Sequence, residues 1–250
     1  MRSSPARMNF VLIHSPVVGA LTWQPTARLL REQGHISRVP VLDIASAHAP
    51  YWPSLAGRVA EAARDLPPEE SLVLVTHSAA GLIVPAVRNA LPERAVRAYV
   101  FVDAALPENG VTLGDLIPAA AGVTMDALRA RADDGWLPPL GADWPEAVWA
   151  ALIPDTTLRA RFVAEVPRVP LALYDDPTPI VATWPDAPCC YLQFSRLYAT
   201  TEARARESGW ETRQLRGEHF HMLVKPLDVA RALVDLAEAS QPSSGARPAV

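Results

Sequence analysis

The chain has 250 residues, of which 50% are hydrophobic and 20% are charged. This size and composition suit one α/β domain with an insertion and exclude a wholly disordered chain. The formal net charge of −4 gives no reason to expect nucleic acid or an anionic membrane as a partner. No apolar run reaches the roughly 18–20 residues that a membrane helix needs, and residues 1–9 contain no signal-peptide-like apolar stretch. We therefore expect a cytoplasmic protein, as a monomer or homodimer, with a small-molecule substrate.

The basic residues and the cysteines set two further limits. Lys225 is the one Lys among 23 basic residues, and the chain also has 25 Pro, a bias that is typical of a GC-rich genome and favours a bacterial source. Cys189 and Cys190 are adjacent, so in a strand their side chains would point to opposite faces. We predict no disulfide, no metal site and no cofactor.

Short apolar runs alternate with helically spaced segments through the first hundred residues. The predicted strands and helices are, in chain order, strand 10–13, helix 22–33, strand 39–42, helix 54–66, strand 71–75, helix 79–91 and strand 98–102. Strands that are apolar throughout and separated by helices indicate a mostly parallel sheet covered on both faces.

This alternation stops between residues 107 and 188, where helical segments are predicted at 113–118, 125–133, 145–152 and 157–166, with many prolines and no clear strand. It resumes with strand 190–194, helix 201–208, strand 211–215 and helix 226–239. We predict an α/β core of residues 1–106 and 189–239, a helical lid of residues 107–188 (the insertion), and a disordered tail of residues 240–250.

The insertion contains four of the seven tryptophans: Trp136, Trp144, Trp149 and Trp184. Such side chains could line an apolar pocket under the lid, with Trp136 as a substrate contact, or could form the core of the lid itself. The sequence leaves both interpretations open.

The strongest local motif is Thr76-His77-Ser78-Ala79-Ala80-Gly81, which lies directly between a predicted strand and a predicted helix. A serine in such a sharp turn presents its hydroxyl above the sheet edge, beside a helix N-terminus that favours developing negative charge. Thr76 and Ala80 occupy positions where the Gly-x-Ser-x-Gly form of this turn has glycines. The alternative is that Ser78 simply caps the helix.

A second motif, Gly217-Glu218-His219-Phe220-His221, follows the last predicted strand. An imidazole titrates near neutral pH, so a histidine here can take a proton from a serine and return it to a leaving group. Spacing alone does not choose between His219 and His221. A third segment, His14-Ser15-Pro16-Val17, follows the first strand, where a second oxyanion donor would lie.

Together these motifs resemble the α/β-hydrolase superfamily, and in particular its plant methylesterase and hydroxynitrile lyase branch. The ending His219-Phe-His-Met222-Leu223-Val-Lys-Pro226 is similar to the His-x-x-Met-Leu-x-x-Pro of that branch. The resemblance implies that Ser78 is the nucleophile, that the Ala79 N–H donates to the oxyanion, that His219 is the base, and that His221 lies in the pocket wall.

Two positions depart from this resemblance. Most relatives have the acid of the triad after the strand that ends at Phe194, but this chain has Ser195 there. Asp103, at the end of the fourth strand, matches the acid of one subgroup of haloalkane dehalogenases and could orient His219, or it could cap the next loop. Glu202 is the other candidate acid.

Pro16 is the second departure, because proline has no N–H to donate to an oxyanion. Ser15 or Val17 would have to take that role, and Ser15 stands where the lyase branch has a threonine whose hydroxyl contacts substrate. The sequence predicts a cofactor-independent serine hydrolase acting on a small or medium apolar ester, thioester or lactone. The alternatives are a lyase or a cyclase or lactonising enzyme with the same fold, and a ligand-binding protein with a degenerate site.

Overall fold

The structure is a computed structural model that describes residues 7–116, 123–179 and 184–240. Its main strands are β1 (Asn9–Ile13), β2 (Ile36–Arg38), β3 (Leu72–Ser78), β4 (Val96–Ala104), β7 (Cys189–Gln193) and β8 (Glu211–Gln214). They form one parallel sheet in the order β2-β1-β3-β4-β7-β8. The parallel sheet predicted from the sequence is therefore confirmed.

Helices cover both faces of this sheet. They are α1 (Gln24–Glu32), α2 (Tyr51–Ala63), α3 (Val84–Ala90), α7 (Ala199–Glu207), α8 (His221–Val224) and α9 (Pro226–Ala239). The α1 and α9 helices pack together on one face, and α2 packs with α3 on the other.

Successive strand residues enter the two apolar layers alternately. In β1, Phe10 and Leu12 face the layer of α1 and α9, whereas Val11 and Ile13 face the layer of α2 and α3, and all four are fully buried. Each such side chain contributes roughly 1.5–3 kcal/mol on burial. In β7 the same alternation separates Cys189 from Cys190, which are both buried free thiols on opposite faces.

The predicted strand at 39–42 is wrong, since β2 ends at Arg38 and the next four residues have no regular structure. Pro40 cannot donate to a strand ladder, and the Leu42 N–H donates instead to His14 Nε2 at 3.2 Å. The predicted helix at 79–91 is divided into a 3₁₀ helix, Ala79–Ile83, and α3. Pro85 lies in the first turn of α3, where its missing N–H costs nothing.

The described part of the insertion contains α4 (Met125–Arg131), α5 (Glu146–Leu152) and α6 (Thr156–Ala164). It also contains a short antiparallel pair that the sequence analysis missed, β5 (Trp136–Leu137) with β6 (Val169–Pro170). The predicted helix at 113–118 is a 3₁₀ turn over Gly114–Leu116, and its last two residues lie outside the described residues, as do residues 241–250 of the predicted tail. The division into core, lid and tail stays a prediction.

Candidate active site

Ser78 ends β3 in a strained backbone conformation, with φ 58° and ψ −131°. A non-glycine residue adopts such angles only when the surrounding structure holds it there, and this geometry is typical of a nucleophile turn. The 3₁₀ helix Ala79–Ile83 follows directly. Within it, a Cβ on Gly81 would lie 1.8 Å from the Ala105 carbonyl oxygen, so the close approach of this turn to the end of β4 requires glycine at 81.

Asp103 is held by a complete set of hydrogen bonds at the end of β4. Its carboxylate is fully buried, and Oδ1 accepts from the Phe194 N–H at 2.8 Å and the Ser195 N–H at 3.0 Å. Oδ2 accepts from Ser195 Oγ at 2.6 Å and lies 2.9 Å from His219 Nδ1. These contacts favour the tautomer that carries its proton on Nδ1 and leaves the Nε2 lone pair free to accept a proton.

The other candidate acid lies away from the imidazole. Glu202, on α7, is paired with Arg206 one turn later on the same helix, and this guanidinium lowers the pKa of the carboxyl. The carboxylate that lies against His219 is that of Asp103. Ser195, at the position where most relatives have their acid, donates to that carboxylate instead.

Ser78 is bonded to a residue that the sequence analysis did not single out. Its Oγ lies 3.4 Å from the phenolic oxygen of Tyr198, and among the described residues no hydrogen bond joins Ser78 to His219. The Tyr198 ring is nearly parallel to the His219 imidazole, with 5.3 Å between centroids and 10° between planes. The sequence signal for Tyr198 was its place in the loop after β7, where the acid had been sought.

His77 lies beneath the imidazole of His219. Its Nε2 donates to the His219 carbonyl oxygen at 3.0 Å, and the two ring centroids are 4.4 Å apart. Burial, and then the neighbouring His219, hold the pKa of His77 well below its usual range, so the ring is neutral. The contact ties the backbone of the last loop to the strand that carries Ser78.

The loop after β1 is folded back on itself around Ser15. The buried Ser15 hydroxyl accepts from the Val17 N–H at a long 3.5 Å, and the Ser15 carbonyl accepts from the Val18 N–H at 3.1 Å and from His14 Nδ1 at 2.8 Å. Pro16 supplies no donor. Because the Val17 bond is long, and because no hydrogen bond within the described residues uses the Ser15 hydroxyl hydrogen, both groups can donate to an added oxygen.

The packing of His221 and Trp136 could not be predicted from the sequence. His221 begins α8, and its ring packs against Phe194 and so tightly on Gly217 that a Cβ there would lie 2.1 Å from Nδ1. Burial lowers its pKa. Trp136 is half-buried in β5, and its neighbour Leu137 lines the cavity described next.

A cavity of about 160 Å³ lies between Val17 and the insertion. Its lining is mostly apolar and includes Leu128, Leu137, Trp144 and Tyr174, with Arg131 as a charged member. Trp149 and Trp184 belong to the packed interior, where Trp149 donates to the Gly141 carbonyl at 3.1 Å and Trp184 packs on Tyr99 and Phe101. Of the four tryptophans, Trp144 therefore lines the cavity, Trp149 and Trp184 pack with core residues, and Trp136 does neither.

Two features are absent from residues 7–116, 123–179 and 184–240. No group of three or more His, Cys, Asp or Glu side chains in them is arranged to hold a metal ion. No helix in these ranges is long and apolar enough to cross a bilayer.

No family profile matches this sequence. Esterase PIR7B of Oryza sativa subsp. japonica is 35% identical over 144 residues, which are 54% of this chain and 50% of the esterase. The chain thus spans about half the length of the curated relatives it matches. This sequence likeness confirms the resemblance to the esterase-like branch.

Solved structures give the fold over nearly the whole chain. An extracellular α/β-hydrolase from a Paenibacillus species, described as homologous to tobacco salicylic acid binding protein 2, has a TM-score of 0.73 and 19% identity, covering 92% of this chain and 98% of its own. Tomato methylketone synthase I has a TM-score of 0.69 and 18% identity, covering 94% and 100%. This chain has the α/β-hydrolase fold.

Proposed function

We propose that this protein is a cofactor-independent serine hydrolase that uses Ser78, His219 and Asp103 on a small or medium apolar ester, thioester or lactone. The observation that carries the proposal is the contact of 2.9 Å between His219 Nδ1 and the buried, fully bonded Asp103, next to a serine held at φ 58°. Burying a carboxylate is costly unless it is hydrogen-bonded, and this one orients an imidazole toward the nucleophile's end of the sheet. The similarity to rice esterases supports the same reaction class.

The proposed reaction has two halves. Ser78 Oγ attacks the carbonyl carbon while His219 Nε2 takes the Oγ proton, and the proton then passes to the leaving oxygen as its bond to carbon breaks. Water attacks the acyl-enzyme by the reverse sequence and releases the acid. Asp103 stays ionised throughout and stabilises the imidazolium. The Ala79 N–H, with the Ser15 hydroxyl or the Val17 N–H, holds the oxyanion.

The substrate class is supported by an apolar cavity that includes Val17 of the proposed oxyanion loop, while Ser78 and His219 lie outside its lining. A closed apolar space of about 150 Å³ accommodates a molecule the size of benzene, and the cavity beside Val17 has about 160 Å³. We therefore place a small apolar acyl or alkyl group there. A cytoplasmic location, a bacterial source and a monomeric or homodimeric state stay predictions from the sequence.

The test uses p-nitrophenyl butyrate turnover and a fluorophosphonate probe followed by peptide mass spectrometry. We expect the probe on Ser78, and we expect Ser78→Ala to lower kcat by at least about 10⁴-fold. Ser46→Ala, an exposed serine on a surface turn, is the matched control and should keep full activity. Turnover that survives Ser78→Ala would overturn the nucleophile assignment.

A second candidate is non-hydrolytic acid–base chemistry by Ser78 and His219, as in a lyase or a cyclase. Two observations favour it: Pro16 removes an oxyanion donor, and Ser78 is bonded to Tyr198 rather than to His219. Tomato methylketone synthase I, with the same fold, is named for a product that is not an ester. Hydrolysis of no ester together with retained fluorophosphonate labelling would favour this candidate.

A further inference from the structure

Tyr198 places a hydroxyl group at the nucleophile from a direction that none of the proposed triad groups occupies. Its Oη lies 3.4 Å from Ser78 Oγ, and Ser78 is its hydrogen-bond partner among the described residues. The phenol reaches this point from the 3₁₀ turn Arg196–Tyr198, directly after β7. A buried hydroxyl beside a reacting atom is a potential donor to the oxygens that gather there.

The Tyr198 ring packs on the His219 imidazole. The two ring planes are 10° apart and their centroids are 5.3 Å apart, while the hydroxyl of the same phenol lies 3.4 Å from Ser78 Oγ. The oxyanion donors proposed above come from other elements, the 3₁₀ helix Ala79–Ile83 and the loop after β1. In the proposed reaction His219 gives a proton to the departing oxygen, so Tyr198 lies beside the group that serves that oxygen.

The protonation state of Tyr198 supports a role as a donor. Burial is the main cause that raises the pKa of Tyr198 to about 12, with the charge of Asp103 acting in the same direction. The phenol therefore keeps its hydrogen throughout the pH range in which His219 works as a base.

We propose that Tyr198 is a further catalytic residue that donates a hydrogen bond to the leaving-group oxygen of the substrate. This inference rests on the proposed hydrolase function. When the tetrahedral intermediate collapses, the carbon–oxygen bond breaks, its electron pair stays on the leaving oxygen, and the proton on His219 Nε2 moves to that oxygen. Tyr198 keeps its own proton and shares it with the same oxygen while charge develops. In deacylation the attacking water takes the place of the leaving group and accepts the same hydrogen bond from Tyr198.

A donor to the leaving oxygen matters most when that oxygen is a strong base. Ethyl butyrate releases ethoxide, which needs protonation, whereas p-nitrophenyl butyrate releases a stable phenolate that does not. A donor to the oxyanion acts on the butyryl part of the intermediate, which the two esters share, and its loss should therefore lower kcat/KM for both esters by a similar factor. The leaving group therefore distinguishes the two roles.

The experiment compares kcat/KM of wild type and Tyr198→Phe on these two esters. We expect a loss of roughly 10–100-fold on ethyl butyrate and of less than about threefold on p-nitrophenyl butyrate, the size of one hydrogen bond to an oxygen that develops charge. Tyr99→Phe is the matched control, because the Tyr99 hydroxyl donates to Asp186 at 2.6 Å, away from the site. This variant should have the same kcat/KM as wild type on both esters.

The outcomes separate the inference from the function on which it rests. Equal losses on the two esters, or no loss on either, would overturn the role of Tyr198 while wild-type turnover upholds the hydrolase. Absence of turnover of both esters by wild type would overturn the hydrolase and, with it, this role. A fall in Tm for Tyr198→Phe with an unchanged ratio of the two esters would identify a purely structural side chain.

Discussion

The two ends of the candidate site are built in different ways. At the acid end, Asp103 has four hydrogen-bond contacts, three from the β7 loop and one to His219, and is completely enclosed. At the nucleophile end, Ser78 has one long contact to Tyr198, and the loop of Ser15 and Val17 has an equally long bond. The acid end is fixed before a substrate arrives, whereas the groups that we propose touch the substrate keep unused bonding capacity.

The largest expected effect comes from a substitution at the acid end. Asp103→Asn keeps an acceptor for the two backbone N–H groups but points an amide donor at His219 Nδ1, which imposes the wrong tautomer. In triad enzymes this change lowers kcat by about 10⁴-fold, and we expect a similar loss in ester turnover with little change in Tm. Glu202→Gln is the control and should leave kcat within about threefold, since Glu202 pairs with Arg206. The opposite pattern would move the acid to Glu202.

The strained turn of the nucleophile gives the second prediction. Gly81→Ala would force a Cβ against the Ala105 backbone, and we expect a loss of about 3 kcal/mol in the free energy of unfolding, measured by urea denaturation. Gly57→Ala is the matched control, since no atom lies within 4 Å of a Cβ in that position of α2. It should stabilise the protein by about 0.5–1 kcal/mol. Equal effects of the two changes would show that the turn is not tightly packed.

The loop after β1 should make stability depend on pH. Burial lowers the pKa of His14 from 6.5 to about 4, so the folded state binds fewer protons than the unfolded state between these values. The resulting stability is fully present above about pH 6.5 and is lost as pH falls toward 4, by about 3 kcal/mol in all. His77 shifts in the same direction.

The check is the free energy of unfolding of wild type and His14→Gln at pH 7 and at pH 4.5. Glutamine cannot protonate, so the variant should lose less stability between these pH values than wild type does. A variant with the same pH dependence as wild type would place the effect elsewhere. His48→Gln, which replaces an exposed histidine, is the control for the loss of an ordinary imidazole.

The smallest effect concerns the attachment of the insertion to the nucleophile end. Glu165 accepts from the Leu21 N–H at 2.9 Å and packs against Gly19. We expect Glu165→Gln, which keeps the oxygen acceptor, to be nearly neutral and Glu165→Ala to lower stability by about 1 kcal/mol, measured as Tm. If the two variants are equally unstable, the charge rather than the hydrogen bond holds the insertion there.

The alternation of apolar strands and helices was sufficient to predict the sheet, because strands such as β1 and β3 are buried on both faces and contain uninterrupted apolar runs, residues 10–13 and 72–75. The sequence did not predict the structure where tertiary contacts override a local pattern. The segment 39–42 is apolar enough for a strand, but Pro40 and the bond from Leu42 to His14 remove it from the ladder. The two-residue strands β5 and β6 have no periodicity long enough to detect.

For the candidate site, the strand-to-helix motif predicted Ser78, the family resemblance favoured His219 over His221, and a missing carboxylate at Ser195 directed attention to Asp103. The sequence could not give Tyr198, because its contact with Ser78 joins residues 120 positions apart. The sequence also could not show that Leu137 rather than Trp136 lines the cavity, because this depends on the orientation of a two-residue strand.

The two adjacent free thiols in β7 can be used to follow how this molecule unfolds. Cys189 contacts one layer of helices and Cys190 the other, and burial raises the pKa of both thiols, that of Cys189 to about 12, so we expect both to react slowly in the folded protein. Alkylation rates of single-cysteine variants would therefore time the release of each helical layer separately. One strand thus carries two alkylation probes, one for the helices on each face of the sheet.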